Sequence, residues 1–474
     1  MNYLFADFET SDSNVNSLCL LEAGFILLDE RFREIDRLSV KCRPRPTTIC
    51  SIGALLTNNV SVKMLKGANL SHFEAVQTIQ AHLKKWEPFI MIGHNLINFD
   101  AELWIRQCYK NLIPDVYQIK KLPNRMMDTL NISRASKVIN NDSLKCELSA
   151  KKSWLFKLAS LCVQNHIPHT NKHSAMGDAS ANALLAKRLF EKTPDVWESA
   201  IKTSHKSETQ KILEQNKIIT QVAYFYGRPR LYLNTHLFDH PIYKWSVSFD
   251  LRHDPEPLFN LGYAELQKEL KSVPKKLRTC KQNKGEIILA PEYGMKAEPY
   301  NKISFEILNK RADQVRTNKK FIELARTILS DEAQQKKEDS QPYLVPEQRL
   351  YLDGFPSEKD SKVMKLFHEK PTWEEKINLV DSFDQEKYSF FLKTLAYEEA
   401  PDKMPKSMYS EIHKEFAKRL NSLNDEKWVT FGKFYAELDT YRNKFDKENN
   451  SEGLKILEEY DSFVQDLEKK YQIG

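Results

Sequence analysis

Strand and helix signals alternate along the first 200 residues, and this order limits the folds that the chain can adopt. Three short apolar runs come first, "NYLFADFET", "LCLLEAGFILL" and "EIDRLSVKCRP", with "DERF" as the turn between the last two. Such runs joined by a tight turn predict the antiparallel opening of a mixed sheet. A further buried strand is predicted at "FIMIGHN".

Helix signals follow these strands. Ser71 and Glu74 have the spacing of a capping box, and apolar residues then recur at helical intervals. Further helices are predicted from about Asp100, over "SWLFKLASLCVQNHI" and over "DASANALLAKRLFEK". Because strands followed by helices that pack back on them are typical of α/β domains, we predict an α/β domain over residues 1–200.

The pattern of apolar and polar residues changes near residue 205. Short aromatic and β-branched runs, "VAYFYGRPRLYLNTHLF", "IYKWSVSFDL", "GEIILAP" and "YNKISFEIL", predict a β-rich domain over 205–340. The chain then becomes almost wholly helical, which predicts a helical domain over 345–474. The charged segment around 331–342 is predicted to be a linker or a surface loop.

Composition narrows the functional classes only slightly. The 71 basic and 65 acidic residues give a formal charge of +6, so a nucleic-acid surface has to be a local patch. The seven cysteines are odd in number and include no CxxC pair, which predicts a reduced, cytoplasmic setting. The first residues carry acids where a signal peptide needs a basic start, and no apolar run approaches the ~18 residues of a membrane span. We therefore expect no membrane association.

Four acidic residues occupy predicted element ends or strand faces. Asp7 and Glu9 lie two apart in a strand, so their carboxylates point to one face and Phe8 to the other. Asp100 stands at a strand-to-helix junction, and Asp178 leads a helix whose other members on that face are apolar. Each acid alone has a structural interpretation, as a sheet edge facing water or as a helix N-cap. Two acids pointing into a buried sheet are costly, however, unless they are paired or bound to a metal.

Together the four carboxylates can hold two divalent ions. Such ions prefer oxygen ligands and, about 3.5–4 Å apart, stabilise both the entering and the leaving oxygen of a phosphoryl displacement. We predict Mg²⁺, with Mn²⁺ as the alternative ion, at Asp7, Glu9, Asp100 and Asp178. His173 lies five positions before Asp178, and imidazole suits a base that activates the attacking water. An isolated histidine in such a place would more simply be a solvated loop residue.

In chain order, "DFET", "GHNLINFD" and "HSAMGD" resemble the DEDDh family of 3′-to-5′ exonucleases, whose RNase H-like sheet carries Asp-x-Glu, Asp and His-x4-Asp. The related DEDDy subclass places a tyrosine four residues before the last acid, where this chain has Ser174. The resemblance therefore implies the histidine branch, with the four acids as catalytic metal ligands and His173 as the base.

Further stretches, "LDERFREIDRLSVKCRPRPTTICSIGALLTNNV", "VAYFYGRPRLYL", "YNKISFEIL" and "QRLYLDGFPSEKDSKVM", are similar in order and spacing to the bacterial exodeoxyribonuclease I family. This resemblance implies an RNase H-like exonuclease domain with a mixed sheet, an SH3-like β domain and a C-terminal helical domain. It implies processive hydrolysis of single-stranded DNA from the 3′ end in DNA repair and recombination, with release of 5′-mononucleotides. It also implies the acidic tail of single-stranded DNA-binding protein as a partner, and we expect a monomer. The segment 136–153 has no counterpart in the family.

Candidate contacts to a single strand combine basic and aromatic residues, because phosphates need cations and bases stack on aromatic faces. The stretch "YFYGRPRLY" offers four of them on one side of a strand predicted from 224 to 230, namely Tyr224, Tyr226, Arg228 and Arg230. A β-domain core with arginines in its turn explains the same pattern. Candidates near the acids are Phe8, Thr10, His94 and Asn95. The basic run "KRADQVRTNKK" is typical of a solvated helix face, and Asp128 is predicted to cap a helix.

Two other functions stay open on the sequence alone. Chemistry at phosphorus does not itself select the sugar, so an RNA 3′ exonuclease could use the same five residues. The other alternative is a catalytically silent scaffold that only holds single strands. The presence of all four acids and of His173 argues against that scaffold.

Overall fold

The computed structural model describes residues 1–338 and 345–472, and its first part is built on a five-stranded sheet. The strands and helices of this part are, in chain order, β1 (Asn2–Thr10), β2 (Leu20–Leu28), β3 (Glu34–Lys41), α1 (Ile52–Thr57), α2 (Val62–Gly67), α3 (His72–Trp86), β4 (Phe89–Gly93), α4 (Asp100–Lys110), β5 (Arg125–Asp128), α5 (Thr129–Ile139), α6 (Leu158–Gln164), α7 (Ala175–Lys192), α8 (Pro194–Lys202) and α9 (Lys206–Gln215).

The first sheet is mixed, with the strand order β3-β2-β1-β4-β5. Strands β1, β2 and β3 are antiparallel neighbours, whereas β4 and β5 run parallel to β1. This arrangement confirms the predicted α/β fold and the turn at "DERF" between β2 and β3. The capping box at the start of α3 is also confirmed, because Ser71 and Glu74 each accept the backbone N–H of the other.

The second part contains an antiparallel sheet and several helices. Its elements are β6 (Ile219–Phe225), β7 (Arg228–Asp239), β8 (Ser246–Asp250), α10 (Tyr263–Lys271), β9 (Leu277–Cys280), β10 (Ile288–Leu289), α11 (Pro291–Met295), α12 (Phe305–Thr317) and α13 (Lys319–Glu338). The strand order is β10-β6-β7-β8-β9. Phe249 of the sheet shares a core with Leu266, Leu308 and Phe321 of the helices. The β-rich prediction is therefore right for the sheet but omitted these helices.

The third part is helical, as predicted. Its helices are α14 (Glu358–Glu369), α15 (Trp373–Ile377), α16 (Glu386–Glu399), α17 (Lys406–Leu420), α18 (Phe431–Lys447) and α19 (Ser451–Lys470). They are not independent of the first sheet. Leu4 and Phe8 of β1 belong to the same buried core as Phe367 of α14 and Phe391 of α16.

Two predicted strands are wrong. The run "YNKISFEIL" was expected to be extended, but α12 begins at Phe305 because the Ser304 side chain accepts the backbone N–H of Ile307 and caps the helix. Residues 224–230 are not one strand but the tip of a hairpin. Tyr226 and Gly227 both have positive φ, 51° and 75°, and this pair forms the two-residue turn between β6 and β7.

Two helix boundaries also differ from the prediction. The charged segment around 331–342 was expected to be a linker or loop, but residues 331–338 continue α13, where Ala333 is buried; residues 339–342 lie outside the described residues. The helix expected over "SWLFKLASLCVQNHI" begins only at Leu158. Trp154 before it makes a β-bridge with Leu148 instead.

Across residues 1–338 and 345–472, no helix combines the length and the apolar character that crossing a bilayer requires.

Candidate active site

Two acids on β1 point toward helix α7. Asp7 and Glu9 stand two apart on the strand, so their carboxylates lie on the same face of the sheet as Phe5, whose ring joins the core that contains α7. The ring of Phe8 lies on the opposite face, 5.5 Å from that of Phe25. The strand thus separates two carboxylates on one side from an aromatic core on the other.

A glycine allows the third acid to reach this pair. The first turn of α7 lies so close to β2 that a Cβ atom added to Gly24 would be 2.5 Å from the backbone carbon of Ala175. Only glycine permits this approach without a backbone shift. Ser174 caps the helix by accepting the N–H of Gly177, and Asp178 follows in the first turn. The close packing of α7 on β2 therefore places Asp178 beside β1.

The three acids meet closely enough to share an ion. Ligand oxygens of Asp7, Glu9 and Asp178 all lie within 4.8 Å of one another. Among the described residues, no other group of three or more acids, histidines or cysteines does so. Asp100 is the first residue of α4 and is not part of this trio, but among the charges that raise the pKa of Asp7 its effect is the largest. Three of the four predicted acids thus meet, and Asp100 is close enough for its charge to act on Asp7.

Burial and mutual repulsion oppose ionisation of these acids. Burial, followed by the charges of Asp100, Glu9 and Asp178, raises the pKa of Asp7 well above its usual range. Burial and the neighbouring carboxylates raise the pKa of Glu9 to about 8. Burial likewise raises the pKa of Asp100 to about 7, although backbone N–H groups, including that of Phe8, favour its charged form. An oxygen-only cluster that resists ionisation fits a hard divalent cation such as Mg²⁺ or Mn²⁺.

These raised pKa values predict how stability depends on pH without divalent ions. The folded chain binds more protons than the unfolded chain between pH ~4 and ~8, so the free energy of unfolding should fall as pH rises through this window. Divalent ions should offset the loss. We expect the increase in melting temperature caused by Mg²⁺ to be larger at pH 8.5 than at pH 5.5, in melts run with Mg²⁺ or with EDTA.

The matched control for this pH effect is the neutral variant Asp7→Asn. It should flatten both the pH dependence in EDTA and the response to Mg²⁺. An equal Mg²⁺ response at the two pH values in the unaltered chain would contradict the assignment of these acids as a cation site.

The predicted base is not the histidine that contacts the acids. His173 lies in the loop before α7, exposed and with a φ of 60°. Among the described residues, the hydrogen bond between a histidine and one of the four acids is made by His169, whose Nε2 lies 2.5 Å from Oδ1 of Asp178. With its proton on Nε2, the imidazole donates to this oxygen. Sequence reasoning missed His169, although a second histidine four residues before His173 was a visible signal.

His169 is placed to orient Asp178. Its side chain is 4% exposed, and a donated hydrogen bond to one carboxylate oxygen leaves the other free for a cation. Loss of such a partner behind a ligand commonly lowers metal affinity by about 10–100-fold. We expect His169→Asn to raise the Mn²⁺ concentration for half-maximal activity by about this factor, and direct Mn²⁺ titration should show the same shift.

The matched variant His169→Gln restores a longer N–H donor and should recover part of the affinity. A Mn²⁺ titration of His169→Asn that overlays the unaltered chain, with an unchanged melting temperature, would contradict the orienting role.

The residues near the acids that were predicted to contact a nucleic acid strand pack or form hydrogen bonds within the protein itself. Phe8 is in the core, so its ring is not available to a ligand, and the Thr10 hydroxyl donates to the carbonyl of Asp12. His94 bridges Thr129 and the carbonyl of Phe156, and burial lowers its pKa to about 4. Asn95 has a φ of 71° and donates its backbone N–H to Asp128.

The predicted contacts on the second sheet lie at the β6–β7 hairpin. The hydroxyl of Tyr224 donates to the carbonyl of Trp154, and the guanidinium of Arg228 lies 5.6 Å from the ring centre of Trp154. Tyr226 is 89% exposed at the turn, and Arg230 is exposed as well. The segment 136–153, for which no close counterpart in the resembled family was expected, packs here, since the N–H of Trp154 just after it donates to the carbonyl of Gly227.

A cleft lies between the first and second parts, beside the start of α4. It has a volume of about 470 Å³ and is lined by the next turns of α4, by residues 203–207 and by residues 282–285. Lys120 and Lys284 stand on its walls, and Lys284 donates to the carbonyl of Ile97. Lys120 also lines a second cleft of about 660 Å³ against the C-terminal part. Aromatic residues surround this second cleft, and Phe355 is 77% exposed there.

The aromatic groups of the second cleft form a connected surface. Tyr117 stacks on Tyr351 with their ring centres 6.5 Å apart, and it meets Phe355 edge-on at 5.8 Å. Lys120 lies 4.5 Å from the ring centre of Tyr117, and Arg106 lies 5.4 Å from that of Tyr351. Basic groups interleaved with aromatic faces are the surface that single-stranded nucleic acids prefer. Sequence reasoning missed these residues because they come from segments far apart in the chain.

Several known proteins are similar to this chain in sequence or in fold. No family model matches the chain. Exodeoxyribonuclease I of Buchnera aphidicola subsp. Acyrthosiphon pisum is 24% identical over 385 residues, which cover 77% of this chain and 89% of that protein. The solved exonuclease I from Methylocaldum szegediense superposes with a TM-score of 0.83 at 18% identity and covers 98% of this chain and 99% of that one.

A third similar protein carries ligands. The zinc-bound form of an E. coli exonuclease I complex with single-stranded DNA superposes with a TM-score of 0.79 at 18% identity, again covering 98% of this chain and 99% of that one. The likeness in fold to the solved structures covers 98% of this chain and so extends over all three parts.

Proposed function

We propose that this chain, which is exodeoxyribonuclease I-like in sequence and in fold, is a divalent-metal-dependent exonuclease that hydrolyses single-stranded DNA from its 3′ end. The observation that carries the proposal is the meeting of Asp7, Glu9 and Asp178, with the charge of Asp100 acting on Asp7, in a chain that also has a cleft with lysines on its walls. The acids without the cleft, or the cleft without the acids, would not suffice for this function. The acids supply a cation site, and the cleft supplies a path for a polyanion.

The chemistry follows from the residues present. Two divalent ions held by Asp7, Glu9, Asp100 and Asp178 would stabilise the negative charge that develops on the entering and leaving oxygens. His173, in the exposed loop before α7, accepts a proton from water as the oxygen of that water forms the new bond to phosphorus. The bond from phosphorus to the 3′ oxygen of the preceding nucleotide breaks, and that oxygen takes a proton from solvent. The products are a 5′-mononucleotide and a strand one residue shorter.

The three-part architecture supports processive action. Both clefts run between parts of the chain, and Lys120 lies on the wall of each, so a single strand that passes Lys120 can contact both clefts. Contacts in two clefts would hold the strand at several points while its end is shortened. We include in the proposal the division into an exonuclease domain 1–200, an SH3-like domain 205–340 and a helical domain 345–474.

We also propose that the protein is a cytoplasmic monomer that acts in DNA repair and recombination and binds the acidic tail of single-stranded DNA-binding protein. This part of the proposal rests only on the resemblance to exodeoxyribonuclease I. We propose Mg²⁺ as the physiological ion and Mn²⁺ as its substitute. The zinc in the E. coli relative's structure supports divalent binding at this fold without selecting the ion.

The experiment that tests this function compares four matched 5′-labelled substrates: single-stranded DNA, duplex DNA, single-stranded RNA and a DNA strand with a blocked 3′ hydroxyl. We expect rapid shortening of single-stranded DNA in Mg²⁺, and none in EDTA. Faster shortening of RNA than of DNA would favour the RNA exonuclease. Binding of the strand without shortening in Mg²⁺ or Mn²⁺ would favour the silent scaffold.

A further inference from the structure

One positively charged group close to the carboxylates has no acidic partner. Arg134 lies on α5, and its guanidinium stacks on Tyr224 with 4.0 Å between the guanidinium carbon and the ring centre. Its Nε is buried without a hydrogen-bond partner. None of the salt bridges between described residues includes it. A buried N–H in this condition has given up water without gaining a partner, which is costly unless a ligand supplies one.

The nearest acid is already satisfied. Asp128 is close enough to act on the charge of Arg134, but its carboxylate accepts the backbone N–H groups of Asn95, Ile97 and Leu130. The bonds from Asn95 and Ile97 hold the loop that leads into α4, and the bond from Leu130 caps α5. Arg134 therefore has no described carboxylate to pair with, and its Nε–H is buried and unpaired where its guanidinium stacks on Tyr224.

Arg134 is also near the reacting centre. His94 connects the surroundings of Arg134 with helix α7. Its Nε2 contacts the carbonyl of Phe156, whose ring meets that of Tyr224 edge-on at 6.0 Å. Its Nδ1 contacts the hydroxyl of Thr129, which lies 2.6 Å from Oδ1 of Asn182, one turn after Asp178 on α7. Packed side chains therefore link Arg134 to the helix that carries Asp178.

A second stacked guanidinium lies beside the first. Arg228 approaches the face of Trp154 and donates to the carbonyl of Lys152 at 3.4 Å. A stacked guanidinium keeps its N–H edge free for two parallel hydrogen bonds, and this geometry matches the oxygens of a phosphate. Arg134 is less exposed to solvent than Arg228, so it should select more strongly for an anion that binds there.

We propose that Arg134, held flat by Tyr224, binds a phosphate group next to the catalytic carboxylates. Two sources share this chemistry: a phosphodiester of the bound strand, and the 5′-phosphate of the released nucleotide. The inference rests on the proposed function and deepens it. The competing explanation is a structural role, in which Arg134 only fastens the hairpin to α5.

The test compares Arg134→Gln and Arg134→Lys with the unaltered chain and with Arg31→Gln, which removes an exposed arginine from the turn after β2. Binding of a fluorescent oligothymidylate is measured in EDTA over a range of salt concentrations. For Arg134→Gln we expect a dissociation constant about tenfold higher and a salt slope smaller by about 0.7, the value for one single-strand phosphate. Arg134→Lys keeps the charge and should retain most of the slope but not the affinity. Arg31→Gln should change neither.

A second arm separates the two sources of phosphate. Inhibition of hydrolysis by thymidine 5′-monophosphate is compared with inhibition by thymidine. If Arg134→Gln weakens only the inhibition by the monophosphate and leaves strand affinity unchanged, the residue binds the product phosphate. If both strand binding and monophosphate inhibition match the unaltered chain, the proposal is overturned, whatever the melting temperature does.

The same experiments distinguish this inference from the proposed function. Hydrolysis of single-stranded DNA by the unaltered chain is measured alongside them. Absence of hydrolysis with normal strand binding would contradict the exonuclease while leaving the phosphate contact of Arg134 to be judged by the salt slopes.

Discussion

Replacement of Asp7 by asparagine is expected to abolish hydrolysis while making the metal-free protein more stable. Asp7 stands at the centre of the acids, and the loss of several kcal/mol of charge stabilisation in the transition state corresponds to a rate lower by about 10³-fold or more. The same change removes a carboxylate whose pKa burial and its neighbours raise, so repulsion in the cluster falls. We expect a higher melting temperature in EDTA at pH 8.5.

The combination of the two effects is the signature of a cation site. A merely structural acid would lose stability on replacement, and a residue unrelated to catalysis would keep activity. The matched control is Asp446→Asn, the same exchange at an exposed position on α18, which should change neither quantity. Hydrolysis by Asp7→Asn at the rate of the unaltered chain in Mg²⁺ would refute the metal site.

The second large effect is expected at His173. Removal of a general base commonly lowers turnover by about 10²–10⁴-fold. His173→Ala should therefore lose turnover, but its affinity for a single strand in EDTA and its Mn²⁺ titration should stay unchanged, because the acids and the groove are intact. Single-turnover rates and strand-binding curves measure these two quantities separately.

A neighbouring histidine provides a close control. His166 is also exposed, and its φ of 55° resembles that of His173. His166→Ala should behave like the unaltered chain. If His173→Ala keeps full turnover while His169→Asn loses it without a change in metal affinity, the base would have to be reassigned to His169.

The parts of the site that sequence could predict are those set by local geometry and chain order. Asp7 and Glu9 share a face because side chains alternate along any strand. Asp178 was found from its position at the start of an amphipathic helix. The approach of Asp178 to β1 also requires a glycine at position 24, because α7 packs directly on that residue. No local sequence pattern reveals this requirement.

The parts that sequence missed depend on contacts between distant segments. The hydrogen bond from His169 to Asp178 requires the loop to fold back onto α7. The strand predicted across Tyr226 failed because a tyrosine with positive φ is uncommon and has no sequence signal of its own. No sequence pattern marks Arg134 as a functional residue, because its lack of an acidic partner follows only from the three backbone hydrogen bonds that Asp128 accepts.

The central claim is that hydrolysis proceeds from the 3′ end at a divalent-metal site. It is tested most directly by one time course on the same single-stranded DNA carrying the label at the 5′ end or at the 3′ end, with Mg²⁺ or with EDTA. The account predicts that the 3′ label is released at once as a mononucleotide, that the 5′ label passes through progressively shorter strands, and that EDTA stops both. Immediate release of the 5′ label, or equal shortening in EDTA, would contradict it.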